Sequence, residues 1–346
     1  MGDYPGYLHE WKAVLGGRDP WLDTGNAYGP LFNVLSPLVW INPRANKLFF
    51  AFSYLAYLIW LVKDFAPRRG LVALSWPLSG LWLLNPFPWV VIAYFGYFDV
   101  LVALACVAAV HNVIGRKDGI SGTCLALGIL LKYMPIVVLP FLVFGERRLH
   151  FRLLNFCVGV VIFGFIVSVL VWGMSTFLPL AIATTRPSHW SIYDALAASH
   201  SLPSDGSNLD PFVWLERPLL VTAGLGTFVW CMLRQSGPAI SAVLAVSVTL
   251  LFYRTGYIAY QMVPFVLNLV LGIFRVAAVG RTSYSGDVIG RLFRLARHFG
   301  VCPLGSSFHN YRRPFLPLYP NVQISLRLCI ACRLGSLQFS AGRYHS

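Results

Sequence analysis

The sequence has few charged residues. They make up 12% of the chain, with 13 Asp and Glu in 346 residues, whereas a soluble domain is about 25% charged. Hydrophobic residues make up 57%, and the mean hydropathy is +0.65. This composition excludes an ordinary soluble domain and predicts an all-α, polytopic transmembrane bundle.

The sequence also lacks the common motifs of soluble enzymes. It contains no HExxH, no P-loop, no GxGxxG and no nucleophile elbow. Its N-terminus lacks the basic start and apolar core of a secretory signal. No motif for a metal, a nucleotide or a dinucleotide therefore guides the assignment of function.

The net charge of +14 is concentrated at the C-terminus. Residues 275–346 hold ten Arg, no Lys and one acid, which gives +9 and leaves +5 for the rest. The basic balance therefore does not indicate nucleic-acid binding by the membrane body. Because the apolar pattern also stops there, we predict that 275–346 is a disordered, basic cytoplasmic tail or the product of a shifted reading frame.

Apolar runs predict about 7–9 spans, counting broken or re-entrant helices. Residues 31–41 are too short to cross about 30 Å of hydrocarbon and predict an interfacial helix. The domain prediction is an external first loop with this helix over 1–47, a membrane body over 48–274 with an external loop at 173–216, and the tail. The predicted spans are 48–62, 71–84, 100–114, 120–144, 153–172, 219–233, 239–252 and 258–274.

Lys132 interrupts the span at 120–144. A lysine at the centre of a bilayer costs about 3 kcal/mol. A pair of short helices with Lys132 at an interface avoids this cost. The clusters of Lys and Arg that follow most of the other spans then fall on one side, which the positive-inside rule makes cytoplasmic.

The opposite, external face receives the first segment, which carries acids among aromatic and turn-forming residues. Asp3 and Asp19 are candidate catalytic carboxylates, and Trp21 and Tyr28 offer flat faces that suit a sugar ring. The alternatives are a solvated terminal residue for Asp3 and an interfacial aromatic belt for the rings.

Three more candidates lie elsewhere on that face. Asp99 begins a span, where an acid is either functional or a helix cap. Lys132 is followed by Tyr133, and Arg254 also has a tyrosine next to it in the sequence. Together the two cations could hold an anionic lipid phosphate. The alternative for both cations is snorkelling from a helix end.

Three stretches resemble the GT-C superfamily of integral-membrane glycosyltransferases, and within it the bacterial polyprenyl-phosphate-mannose-dependent mannosyltransferases and their uncharacterised relatives. They are the first segment from Asp3 to Leu31, Gly96-Tyr97-Phe98-Asp99, and Lys132-Tyr133-Met134-Pro135 with Leu139-Pro140. The resemblance covers residues 1 to about 274 and leaves out the tail.

The resemblance implies inverting transfer of mannose or another hexose from a polyprenyl-phosphate donor to a hydroxyl of a glycan, lipid or protein acceptor. A first-loop acid, Asp3 or next Asp19, would be the base. Lys132 and Arg254 would hold the donor phosphate, Asp99, Tyr28, Trp21 and Tyr133 would bind substrate, and a divalent metal would be optional. The resemblance also implies a multi-pass protein of a bacterial inner membrane, in contact with membrane lipids.

Family members usually have a membrane helix before the first loop. Its absence here predicts either a truncated chain or a misplaced gene start, and with it a less firmly held Asp3 and an inactive protein. The competing function is a transporter or flippase for a lipid-linked sugar or another amphiphile, which would place its site near the bilayer midplane.

Overall fold

A computed structural model gives the fold of the chain. It describes residues 3–22, 28–65, 80, 82–145, 148–185, 213–253 and 258–268. The chain divides into two compact units, 1–285 and 286–346, and every described residue belongs to the first. Arg254 and the predicted tail lie outside the described residues.

The regular structure of the described residues is helical throughout, which confirms the all-α prediction. Short 3-10 segments cover Met134–Val138, Gly173–Phe177 and Ile258–Gln261, and π-helical turns cover Leu61–Phe65 and Val90–Tyr94. The α-helices are α1 Tyr4–Leu15, α2 Pro30–Asn33, α3 Pro37–Ile41, α4 Ala45–Trp60, α5 Pro86–Trp89, α6 Asp99–Ile114, α7 Asp118–Leu131, α8 Leu139–Val143, α9 Phe151–Trp172, α10 Leu178–Thr185, α11 Val213–Arg234 and α12 Pro238–Phe252.

Helices α6 and α7 form an antiparallel hairpin. The turn between them holds Arg116 in the left-handed region, at φ 58°. Across the hairpin, the hydroxyl of Ser121 donates to the carbonyl oxygen of Ala109 at 2.7 Å. Because the two helices have similar lengths, Asp99 and Lys132 meet at one end, which we call the upper end. Arg116 marks the lower end.

The predicted break at Lys132 is confirmed. Helix α7 ends at Leu131, and Lys132 has extended backbone with φ −158° and ψ 129°. Pro135 then lies in the first turn of a 3-10 segment, where its missing N–H costs little. This segment and α8 return toward the lower end, where His150 bonds Asp118 with 3.0 Å between Nδ1 and Oδ2.

Helix α9 runs upward beside α7 in the same direction. Its 22 residues give a length of about 33 Å. The two helices approach closely at Gly122, where an added Cβ would overlap the carbonyl oxygen of Leu153. A Cβ at Gly164 would lie 2.7 Å from Leu130 Cδ1. Glycines therefore set the spacing of these two helices.

We expect Gly122→Ala to destabilise the protein by about 1–3 kcal/mol, because the new methyl group forces α7 and α9 apart. Gly159 is the matched control: it also lies within a helix, but an added Cβ would have no atom within 4 Å. Gly159→Ala should be neutral or stabilise by up to about 1 kcal/mol. The fraction of each variant that stays monodisperse after heating in detergent measures its stability. Equal losses of that fraction in the two variants would contradict the close approach of α7 and α9 at Gly122.

The chain reverses direction at Gly173, whose φ is +70°. After the reversal, Thr176 lies 2.9 Å from Ser168, hydroxyl to hydroxyl. The ring of Phe177 stacks on that of Phe165 with 5.5 Å between centroids. The predicted loop at 173–216 therefore differs from the structure, because its first part is helical as far as Thr185 and α11 begins at Val213.

Two helical stretches are long and apolar enough to cross a membrane, Ala45–Lys63 and Phe151–Ile182. The second contains the reversal at Gly173, so α9 supplies its straight part. Shorter apolar helices of 10–17 residues lie beside them, among them α6, α7 and α12. A total of about 7–9 spans stays a prediction.

Candidate active site at the upper end

The first segment forms helix α1 where the sequence suggested a polar loop. Pro5 fits in its first turn because the amide of that position needs no helical partner. Tyr4, Tyr7 and Trp11 form one buried face. The hydroxyl of Tyr4 donates to the carbonyl oxygen of Pro43 at 2.6 Å, which ties α1 to the chain before α4.

A cluster of aromatic rings joins α1 to the hairpin. Tyr7 makes edge contacts with Tyr28 and Phe32, both with 5.2 Å between ring centroids, and with Phe98 at 5.7 Å. The indole N–H of Trp11 donates to the carbonyl oxygen of Phe32 at 3.0 Å. These contacts bury Tyr7, Phe32 and Phe98 almost completely. The first segment is therefore part of the core of the upper end.

Gly29 brings Tyr28 to the end of α7. Its amide donates to the carbonyl oxygen of Leu131 at 3.1 Å, and a Cβ at this position would overlap the carbonyl oxygen of Leu130. Only glycine permits this approach of two backbones. The close approach of Gly29 to the end of α7 places the ring of Tyr28 beside Lys132.

Asp99 and Lys132 form a buried salt bridge, with 2.5 Å between Oδ1 and Nζ. Asp99 has no exposed surface, and Lys132 is 6% exposed. The second carboxylate oxygen of Asp99, Oδ2, is buried and has no hydrogen-bond partner among the described residues. A buried acceptor left in this state costs about 1–3 kcal/mol.

Aromatic rings surround the ammonium of Lys132. Its Nζ lies 3.8 Å from the ring centroid of Tyr260, 5.4 Å from that of Phe98 and 5.9 Å from that of Tyr28. A cation within about 6 Å of a ring centroid is stabilised by the ring quadrupole. The sequence did not indicate Tyr260, because no recognisable motif includes this residue.

Asp3 lies at the start of α1. It is half-buried, and its carbonyl oxygen accepts a hydrogen bond from the amide of Tyr7 at 3.1 Å. The hydroxyls of Tyr7 and Tyr28 are hydrogen-bonded at 3.2 Å. Burial raises the pKa of Tyr7 well above its usual value, and Tyr28, Asp99 and Asp3 raise it further by their charges.

Asp19 and Trp21 belong to a separate contact. The Oδ1 of Asp19 accepts the backbone N–H of Trp21 at 2.9 Å, which closes a tight turn. The ring of Trp21 meets Trp172, at the top of α9, edge-on with 5.4 Å between centroids. The indole N–H of Trp21 is buried and has no hydrogen-bond partner in the described ranges. Trp172 was not a sequence candidate.

Tyr133 borders Lys132 on the side of α9. Its ring stacks on Phe165 with 6.4 Å between centroids, and its hydroxyl is buried without a hydrogen-bond partner in the part of the chain described here. Burial raises the pKa of Tyr133, and the charge of Glu10 raises it further. Glu10 is itself completely buried.

Sequence reasoning also missed Glu10, although the sequence holds a signal for it. Tyr4, Tyr7 and Trp11 are spaced as one face of a helix, and Glu10 is three residues after Tyr7. Reading this stretch as a loop concealed the spacing.

The structure therefore brings together Asp99, Lys132 and Tyr28, with Tyr133 next to them, and Asp3 lies one helical turn before Tyr7. Asp19 and Trp21 meet the top of α9 instead. In the described ranges, no group of three or more His, Cys, Asp or Glu residues could hold a metal ion.

The sequence profile of glycosyltransferase family 87 matches residues 26–289, about three quarters of the chain. The chain belongs to glycosyltransferase family 87. This family 87 chain is therefore a glycosyltransferase, and its apolar helices make it a membrane protein. Asp99, Lys132 and Tyr260 lie within the matched part, which begins after Asp3 and Asp19. No curated protein and no solved structure matches the chain significantly.

Proposed function

We propose that this family 87 glycosyltransferase moves mannose or another hexose from a polyprenyl-phosphate donor to a hydroxyl of a glycan, lipid or protein acceptor, with inversion. The upper end is the external face of a multi-pass protein in a bacterial inner membrane. Asp3 acts as the base that takes the proton of the acceptor hydroxyl.

The position of α1 supports Asp3 as the base. The aromatic face of this helix is fixed in the core of the upper end, so a carboxylate at its start has a defined place. Its charge reaches Tyr7, as does that of Asp99. Asp19, the second candidate, already accepts the amide of Trp21 in its own turn.

An apolar groove supports the proposal that the donor is lipid-linked. It has a volume of about 520 Å³ and lies between α9 and the segment that turns back at Gly173. Its lining is entirely apolar, and Ile166 and Met174 within it are more than half exposed. Phe165 in the same lining stacks on Tyr133, the neighbour of Lys132. A polyprenyl chain in this groove would bring its phosphate toward the upper end. The lining residues are Val161, Ile162, Phe165, Ile166, Val169, Leu170, Met174 and Phe177.

The sequence offers Lys132 and Arg254 as cations for the donor phosphate. Because Lys132 is already paired with Asp99, we assign the phosphate to Arg254. A cation beside the phosphate would stabilise it as it leaves the sugar. The charged pair lies at a helix end, which favours a transferase over a transporter with a midplane site.

Reconstituted protein tests the proposal. Liposomes that contain the chain should transfer radiolabelled mannose from polyprenyl-phosphate mannose and not from a nucleotide-linked mannose. Transfer from the nucleotide donor alone would refute the proposed donor.

A variant in the groove tests the place of the lipid. Ile166→Trp should raise KM for a long-chain donor about tenfold with little change in kcat, because it removes binding that substrate and transition state share. A short-chain donor should be less affected. Val167→Trp is the matched control, since Val167 is exposed on the same helix but does not line the groove. Equal KM values for the two variants would remove the groove from the proposal.

A further inference from the structure

The Asp99–Lys132 pair has an arrangement that direct phosphate binding by Lys132 does not explain. Lys132 is 6% exposed, and its ammonium is enclosed by Asp99, Tyr260 and Phe98. The pair is neutral as a whole, so it offers little attraction to a phosphate. A phosphate that took Lys132 would leave Asp99 as a buried charge without its partner.

The second oxygen of Asp99 points to a ligand. Asp99 has no exposed surface, and its Oδ2 has no hydrogen-bond partner in the described part of the chain. Buried carboxylate oxygens ordinarily accept hydrogen bonds. A carboxylate accepts and does not donate, so the missing partner must be a donor, such as a hydroxyl group.

The surroundings of Asp99 fit a sugar. Phe98 and Tyr28 lie around the pair, and Tyr260 covers it with a half-buried ring. Aromatic rings present flat apolar faces, while the carboxylate presents an acceptor. Tyr28 also links this place to α1, because its hydroxyl is hydrogen-bonded to that of Tyr7 at 3.2 Å.

We propose that Asp99 is a specificity-determining residue that accepts a hydrogen bond from one hydroxyl of the transferred hexose through Oδ2, and that Lys132 is a positioning residue that holds Asp99 through Oδ1. The inference rests on the proposed function, because it assigns the sugar of that donor to the upper end. Because Oδ2 is buried in the structure, binding of the sugar requires the side chains around Asp99 to open.

The test measures binding of sugars, independent of transfer. Hexyl mannoside, glucoside and galactoside, with their monodeoxy and deoxyfluoro derivatives, are titrated calorimetrically into the chain in lipid nanodiscs. For the preferred hexose, removal of one particular hydroxyl should weaken binding about 10–100-fold, as expected for a hydrogen bond to a charged group. Fluorine at that position should weaken it equally, because fluorine cannot donate.

Two double variants test whether the preference for the parent sugar over its deoxy derivative depends on Asp99. Asp99→Leu with Lys132→Met removes both charges and keeps similar shapes, and it should bind the deoxy sugar and the parent sugar equally. Asp118→Asn with His150→Gln, which alters the hydrogen bond between these two residues at the lower end, should keep the discrimination of the parent protein.

Three outcomes would overturn the inference: no hexoside binds, the fluoro derivative binds as well as the hydroxyl form, or the Asp99–Lys132 double variant discriminates as the parent does. The fluoro comparison needs only the parent protein, so it decides the matter even where the double variant fails to fold. Binding with the expected pattern but without transfer from polyprenyl-phosphate mannose would overturn the proposed donor and leave the role of Asp99 standing.

Discussion

Replacing Asp3 by asparagine is expected to lower the rate of sugar transfer by about 10²–10⁴-fold, the contribution of a positioned general base. Asparagine has the shape of aspartate but cannot take the proton of the acceptor hydroxyl. Because α1 is held by Tyr4, Tyr7 and Trp11, the substitution should not change the fold. The loss should appear in kcat with KM for the donor almost unchanged, measured with labelled donor in liposomes.

Asp19→Asn is the control for this prediction. Its Oδ1 accepts the backbone N–H of Trp21, and asparagine keeps that hydrogen bond, so transfer should stay within about twofold of the parent, since no base is lost. The reverse result, with Asp19→Asn inactive and Asp3→Asn active, would identify Asp19 as the base. Equal activity in all three proteins would remove both acids from the chemistry.

Replacing Lys132 alone by methionine is expected to destabilise the protein by about 3–5 kcal/mol. The substitution leaves the carboxylate of Asp99 buried without its counter-charge, and the second oxygen of that carboxylate already has no hydrogen-bond partner among the described residues. Loss of the monodisperse fraction on heating in detergent, or failure to insert, measures the effect.

The double variant that combines Lys132→Met with Asp99→Leu should regain most of this stability, because neither charge remains in the core. Lys47→Met is the control for loss of a lysine. The ammonium of Lys47 also lies over a ring, that of Tyr4, at 4.5 Å, but it donates to the carbonyl oxygen of Tyr94 at 2.7 Å, so its removal leaves no buried charge. Similar losses for Lys47→Met and Lys132→Met would argue against a structural role for the pair.

The hairpin of the site could be predicted from the sequence because its signals are physical and local. The cost of a lysine at mid-bilayer and the proline after it predicted that the helix ends at Lys132, and α7 does end at Leu131. The same argument placed Asp99 and Lys132 at one end. Their direct pairing was not predicted, because it depends on the register of two helices that no sequence pattern sets.

The first segment shows why other parts were missed. Pro5, Gly6 and the Gly16-Gly17 pair suggested a loop, yet proline is tolerated in a first helical turn and Gly16 caps the end of α1. Tertiary packing of the aromatic face outweighed these local signals. Glu10 and Tyr260 were missed for a related reason, since each becomes significant only through a neighbour distant in sequence.

The reversal at Gly173 has a consequence for how a substrate would arrive. Ile162, Ile166 and Leu170 line the apolar groove at intervals of four residues along α9, and each is more than half exposed, so the groove is open along the side of the helix. An occupant that shares the bilayer would reach it by lateral diffusion, without crossing water. The supply of such a substrate is then set by its density per unit area of membrane, so dilution with inert lipid would slow the reaction even at a constant total amount.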